Sequence, residues 1–134
     1  MKLWIVAIVL VAIGLVGCMR SDRPKTIPIT GKVTIDGQPP GERGKIHFTP
    51  TEAAEGYEKR PATGAFDVDG VYRVMSWSPD DGLVPGHYMV NVVPGNSNTT
   101  KILARYRVNG TSGLQVEVPV DKDEINYDIE LVTQ

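Results

Sequence analysis

The 134-residue chain has a single cysteine, Cys18, so no intrachain disulfide can staple it and no cysteine-rich zinc site can form. Its two histidines, His47 and His87, are too few for the His-rich donor set that a catalytic zinc usually takes. A strong charge of either sign is missing as well: 14 Lys and Arg face 16 Asp and Glu, a net charge of −2, which argues against a nucleic-acid partner. No serine sits in a Gly-x-Ser-x-Gly elbow, so the usual frame for an activated hydroxyl is lacking. Beyond Met19 no segment repeats apolar residues at helical spacing, and there is neither an internal repeat nor a low-complexity tract.

One long apolar run is present. Leu3 to Val16 carries no charge and is interrupted only by Gly14; Lys2 precedes it, and Met19-Arg20-Ser21-Asp22-Arg23 ends it abruptly. As a helix, about fifteen residues rise roughly 22 Å, short of a hydrocarbon core of about 30 Å. A basic start, an apolar stretch and a small residue at its end form the layout of a secretory signal peptide. A transmembrane anchor is the alternative, and it would span the bilayer only under strain.

Leu15-Val16-Gly17-Cys18 resembles the lipobox of bacterial lipoproteins. That resemblance implies a diacylglyceryl group on the Cys18 thiol, cleavage before Cys18, and acylation, typically with palmitate, of the new amino group. The alternative is a free, buried cysteine that happens to stand there. One acyl chain holds a protein only marginally at a membrane, whereas two or three hold it durably. Met19 follows the cysteine in place of the aspartate that retains many enteric lipoproteins at the inner membrane, which points to the outer membrane where that rule applies. The expected address is the cell envelope, outside the cytoplasm, at the periplasmic face of the outer or inner membrane. The expected organisation is a signal peptide over 1–17, the lipidated cysteine and a tether over 18–28, and a β-domain over 29–132. Cleavage would leave 134 − 17 = 117 residues, enough for one domain. Loss of Lys2 would leave 14 − 1 = 13 basic against 16 acidic side chains, a net charge of −3.

Short alternating runs fill the rest. Ile29, Gly31, Val33 and Ile35 alternate with Thr30, Lys32 and Thr34 before the Asp36-Gly37 turn. Ile46 and Phe48 form a run that Pro50 is expected to stop; Tyr72 and Val74 follow Asp69-Gly70; Tyr88, Val90 and Val92 precede Pro94-Gly95. Leu114, Val116 and Val118 alternate with Gln115 and Glu117, and Ile125, Tyr127, Ile129 and Leu131 with Asn126, Asp128 and Glu130. Thr51 to Arg60 reads as a mobile loop with at most one turn. Half-buried antiparallel strands need one apolar and one polar face, as these runs provide. The predicted fold is all-β, a single antiparallel β-sandwich of immunoglobulin-like or transthyretin-like type with about seven strands, behind an N-terminal signal helix.

Thr30-Gly31-Lys32-Val33-Thr34-Ile35-Asp36-Gly37-Gln38-Pro39 resembles the "GxVxxDGxP" opening of carboxypeptidase-regulatory-like domains. Ala62-Thr63-Gly64, then Asp67-Val68-Asp69-Gly70-Val71-Tyr72, resembles their "TDxxGxY" hairpin. Asp81-Gly82-Leu83-Val84-Pro85-Gly86-His87-Tyr88-Met89-Val90 looks like the "DGxxPGxYxV" segment of small lipoproteins abundant in Planctomycetes. Ile102 to Tyr106 and Thr111-Ser112-Gly113-Leu114 resemble their "IPxKY…TSGL" stretch, with Leu103 and Arg105 as departures. The resemblance spans residues 13 to 132 and implies a fold and an address, not a reaction. Transthyretin-related hydrolases that open the urate ring end in Tyr-Arg-Gly-Ser, a signature missing from the stretch Tyr127 to Gln134.

Cys18, as the lipid attachment point with Leu15, Val16 and Gly17 as its lipobox, is the one residue with an assigned chemical role. Asp67, Asp69-Gly70 and Asp80-Asp81-Gly82 are read as turns, since no spaced series of oxygen ligands follows them. His47 falls on the polar phase of its strand, and Ser112 reads as a turn residue. Trp77 is expected to plug one end of the sandwich; alternatively it stacks on a sugar ring, with Tyr57 and Tyr106 as further ligand contacts. The expected function is a structural, adhesive or assembly role without catalysis, cofactor or metal. The expected partners are the membrane, through the lipid, and an unknown envelope protein or glycan. The alternative is a binding module for an envelope glycan or secreted peptide.

Overall fold

The computed structural model describes residues 22–96 and 104–133. The expected signal peptide, the lipobox Leu15–Gly17 and Cys18 lie outside the described residues. Eight strands form among them: β1 (Ile29–Ile35), β2 (Gly44–Ala53), β3 (Ala62–Phe66), β4 (Val71–Met75), β5 (Gly86–Pro94), β6 (Leu114–Val118), β7 (Ile125–Asn126) and β8 (Ile129–Leu131). A 3-10 turn, Ala104–Arg107, packs against β5. No helix among the described residues is long and apolar enough to cross a membrane.

The fold is all-β, and the hydrogen-bonded path runs β6-β5-β2-β3-β4-β1-β7, with β8 also on β1. The sheet is nearly closed. Its two ends meet in one interior: Val116 and Val118 from β6 lie in the same buried cluster as Ile129 and Leu131 from β8, and Ile46, Val74 and Val90 from the middle strands fill it between them. A flat sheet could not bring its two ends to one core, whereas a twisted, curled one does. Period-two burial supplies the lining: in β3 Ala62, Gly64 and Phe66 face inward, and in β4 Tyr72 and Val74.

Three expectations need correction. First, the sheet is mixed. β7 and β8 both run parallel to β1, through Ile29–Ile125 and Val33–Ile129, because the chain returns by way of the 119–124 connection instead of by a hairpin. Second, Pro50 does not stop β2. The strand continues to Ala53, and the register shifts between Pro50 and Glu52, a bulge that accommodates a residue unable to donate to the ladder. The 51–60 segment is therefore strand for its first three residues and turn at Gly56. Third, the run Ile125–Leu131 is two strands. Between them the Tyr127 carbonyl accepts the Tyr72 hydroxyl, and the Asp128 carboxylate accepts the Lys32 N–H at 2.9 Å. Gly31 makes room for that crossing, since a Cβ there would lie 2.1 Å from the Tyr127 oxygen.

Candidate functional site

The end of the sheet where β4 finishes and β1 begins collects most of the unusual local structure. The chain enters along Asp22–Pro28, and Ile27 forms an antiparallel bridge with Leu83: Ile27 N–H donates to Leu83 O at 2.8 Å and Leu83 N–H to Ile27 O at 3.0 Å. Both side chains are fully buried, as is Val84, which follows Leu83. Gly82, at φ 92°, presses its backbone against Ile27, where any Cβ would collide with the carbonyl. Farther out, the Arg23 guanidinium donates to Ser78 Oγ at 3.0 Å.

Ser78 belongs to the turn that carries Trp77, and the Asp81 carboxylate organises it. Its oxygens accept the N–H groups of Ser76 at 2.7 Å, Trp77 at 3.0 Å and Ser78 at 3.0 Å. Partial burial pushes the Asp81 carboxyl upward, but those three backbone donors outweigh it and hold the group below the ordinary carboxylate range. The buried Ser76 hydroxyl donates to Gly82 O at 2.6 Å, closing the turn. Asp80 tolerates φ 62°, and Gly82 completes the reversal. The Asp80-Asp81-Gly82 stretch is thus a turn, with the second carboxylate spent on backbone donors.

Trp77 is half-buried and is not part of the core cluster. Ile27 and Leu83 close this end in its place, which corrects the expectation of a tryptophan plug. The Arg60 guanidinium lies 4.7 Å from the centre of the Trp77 ring and donates twice to Ser76 O, at 2.9 and 3.3 Å. It therefore bridges the start of β3 to the Trp77 turn, with a cation on an aromatic face. Tyr57 lies half-buried in the neighbouring turn, its N–H donating to Ala54 O, and Ala54 in turn bonds to Pro85 O.

Tyr106 does not join them. It is 4 % exposed, sits in the 3-10 turn against β5, and accepts a bond from Arg105 at 3.0 Å, so its role as a ligand contact is corrected to a packing role. Ser112 is buried too: its hydroxyl donates to Val90 O and accepts the Leu114 N–H at 3.1 Å, so the oxygen is engaged on both sides. His47 stands on the outer face of β2 across from Thr63, and His87, near the start of the neighbouring β5, lies 3.9 Å from Glu117. Among the described residues no group of three or more His, Cys, Asp or Glu is placed to hold a metal ion. A concavity of about 710 Å³ opens on the outer face of β2, β3 and β4, with Lys45, His47 and Arg73 around the small residues Thr63 and Ala65.

Arg23, Arg60 and Asp81 were not legible as site residues. Asp81 had a local signal, a carboxylate a few residues behind Ser76 and Ser78 in a turn. Arg23 and Arg60 had none, because their partners lie 55 and 16 residues away. The chain matches no protein-family model, no curated protein and no solved structure at a significant level.

Proposed function

We propose that the chain is a lipid-anchored protein of the bacterial cell envelope, held by acyl chains on Cys18, with a non-catalytic structural, adhesive or assembly role. In this reading the β-domain is a sandwich of the transthyretin-like or immunoglobulin-like kind, related to the small lipoproteins of Planctomycetes. The observation that carries the proposal is the join between tether and domain. The Leu15–Cys18 lipobox stands five residues before Arg23, and from Arg23 to Ile27 the chain is already bonded to the β-domain. A thiol-linked lipid at Cys18 would therefore hold a rigid body close to the bilayer, as suits a scaffold or adhesive element.

Metabolic labelling with palmitate, on the wild type and a Cys18→Ser variant, tests the anchor. Label in the wild type and none in the variant is expected, with the variant released from the membrane fraction; an unlabelled wild type overturns the reading. A second reading, a glycan-binding module, draws on the half-buried state of Trp77 and Tyr57 at one end of the domain. A glycan array with wild type and Trp77→Ala separates the two, since the binding module requires a signal that the variant loses.

A further inference from the structure

The tether and the Trp77 turn share one end of the domain, and they are bonded to each other. Arg23 holds Ser78, the residue after Trp77, and Arg60 covers the Trp77 ring. From Cys18 to Arg23 is 23 − 18 = 5 residues, which at full extension reach about 17 Å. That bound is covalent and holds whatever conformation the segment takes. The opposite end, at the Asp36-Gly37 turn, lies a further seven-residue strand away, about 20 Å along β1.

We infer that the corner formed by Trp77, Arg60 and Arg23 rests on the phospholipid headgroups of the membrane that holds Cys18, so that the Asp36-Gly37 end points away from it. The inference rests on the proposed acylation of Cys18. Tryptophan is at home in this zone because its ring is apolar and its N–H is wet, and arginine reaches phosphates while its stem lies along apolar surface. The Asp81 cap and the two Arg60 bonds hold the Trp77 turn in place before any lipid arrives, so little ordering entropy remains to oppose contact. Charge refines the pose. The corner sets Arg23, Lys25, Lys59 and Arg60 against Asp22, Glu58, Asp80 and Asp81, whereas the 119–124 connection, also at this end, sets Lys122 alone against Asp121, Asp123 and Glu124, so phosphate repels the connection more strongly. The domain therefore leans on the Trp77 corner and lifts the acidic loop. It follows that an envelope partner meets the far end or the strand faces, and that Trp77 is not a glycan platform.

The test uses the full chain, produced in a lipoprotein-processing bacterium and reconstituted in phosphatidylcholine vesicles brominated near the headgroups. Cleavage before Cys18 removes Trp4, and Trp4→Phe removes it from any uncleaved chain as well, so Trp77 is the sole tryptophan; a second chain, Trp4→Phe with Trp77→Phe and Gln38→Trp, reports from the far turn. Quenching several-fold stronger at position 77 than at position 38 is expected. In a parallel measurement on the unsubstituted chain, amine acetylation of the exposed Lys25 and Lys59 is expected to fall on vesicles relative to detergent, while that of Lys45 holds. Equal or reversed quenching, or uniform acetylation, on a chain whose Cys18 peptide carries the acyl mass overturns the orientation and leaves the anchor standing. A Cys18 peptide without acyl mass overturns both.

Discussion

Ile27 and Leu83 exchange a pair of backbone hydrogen bonds, 2.8 and 3.0 Å, with both side chains fully buried. The contact joins residues 56 apart in sequence and ties the segment before β1 to the sheet. Leu83→Ala removes a core side chain at this junction and should cost about 2–5 kcal/mol. Chemical denaturation measures the cost, and trypsin cleavage after Lys25 should accelerate in parallel. A variant that loses stability with cleavage at Lys25 unchanged would show that the segment before β1 is held by something other than this pair.

Gly31 is a steric requirement of the β1 crossing. Alanine there would place Cβ 2.1 Å from the Tyr127 carbonyl oxygen, a backbone atom that no rotamer change can move. Gly64, on β3, offers a contrast, because its nearest neighbour would stand 3.1 Å away. Gly31→Ala should therefore destabilise by about 2–3 kcal/mol, and Gly64→Ala by clearly less. Thermal melting of the two variants decides, and equal shifts would refute the assignment.

Ser112 locks the segment after the 3-10 turn onto β5 through Val90, and it is 3 % exposed. Ser112→Ala leaves the Leu114 N–H without its acceptor and the Val90 carbonyl without this donor, at a cost of about 1–3 kcal/mol. Thr111, exposed next door, donates to Arg105 O at 2.9 Å, and its alanine variant should cost less. Denaturant midpoints for the pair check the order.

Asp81 makes the Trp77 turn sensitive to acid. Its carboxyl lies below the ordinary value of 3.8 in the folded chain, so its contribution is fully present above that value and is lost as pH falls through the lower, folded one. With Trp4 replaced by phenylalanine, the Trp77 emission should change on that acid limb, and Asp81→Asn should shift or flatten the change. Asp36 is also lowered, by the Thr133 hydroxyl and then its N–H, but at the far end of β1, so a local fluorescence probe separates the two. An identical acid limb in Asp81→Asn would count against the cap.

Much of the strand layout was legible because period-two alternation is a local property of consecutive residues. β1, β5 and β6 follow the runs that begin at Ile29, Tyr88 and Leu114, and the turns follow Asp36-Gly37, Asp69-Gly70 and Asp81-Gly82. β3 was harder to read, because its inward residues Ala62 and Gly64 are too small to give an apolar signal. The extension of β2 past Pro50 was hidden by a residue that normally ends strands; the partner β5 absorbs it with a bulge. The burial of Tyr106 and the half-burial of Trp77 depended on which strands their turns fold against, and neighbouring residues carry no record of that.

By itself the sequence determined the uncharged apolar run before Cys18, the all-β character and the main turns, since each is set by residues within a few positions of one another. Only the tertiary structure decided that β7 and β8 pair parallel to β1, that Ile27 and Leu83 close the end meant for Trp77, and that Arg23 and Arg60 bracket the Trp77 turn. Those relationships join segments far apart in the chain. Their energy comes from burial and hydrogen bonds that exist only once the sheet has curled.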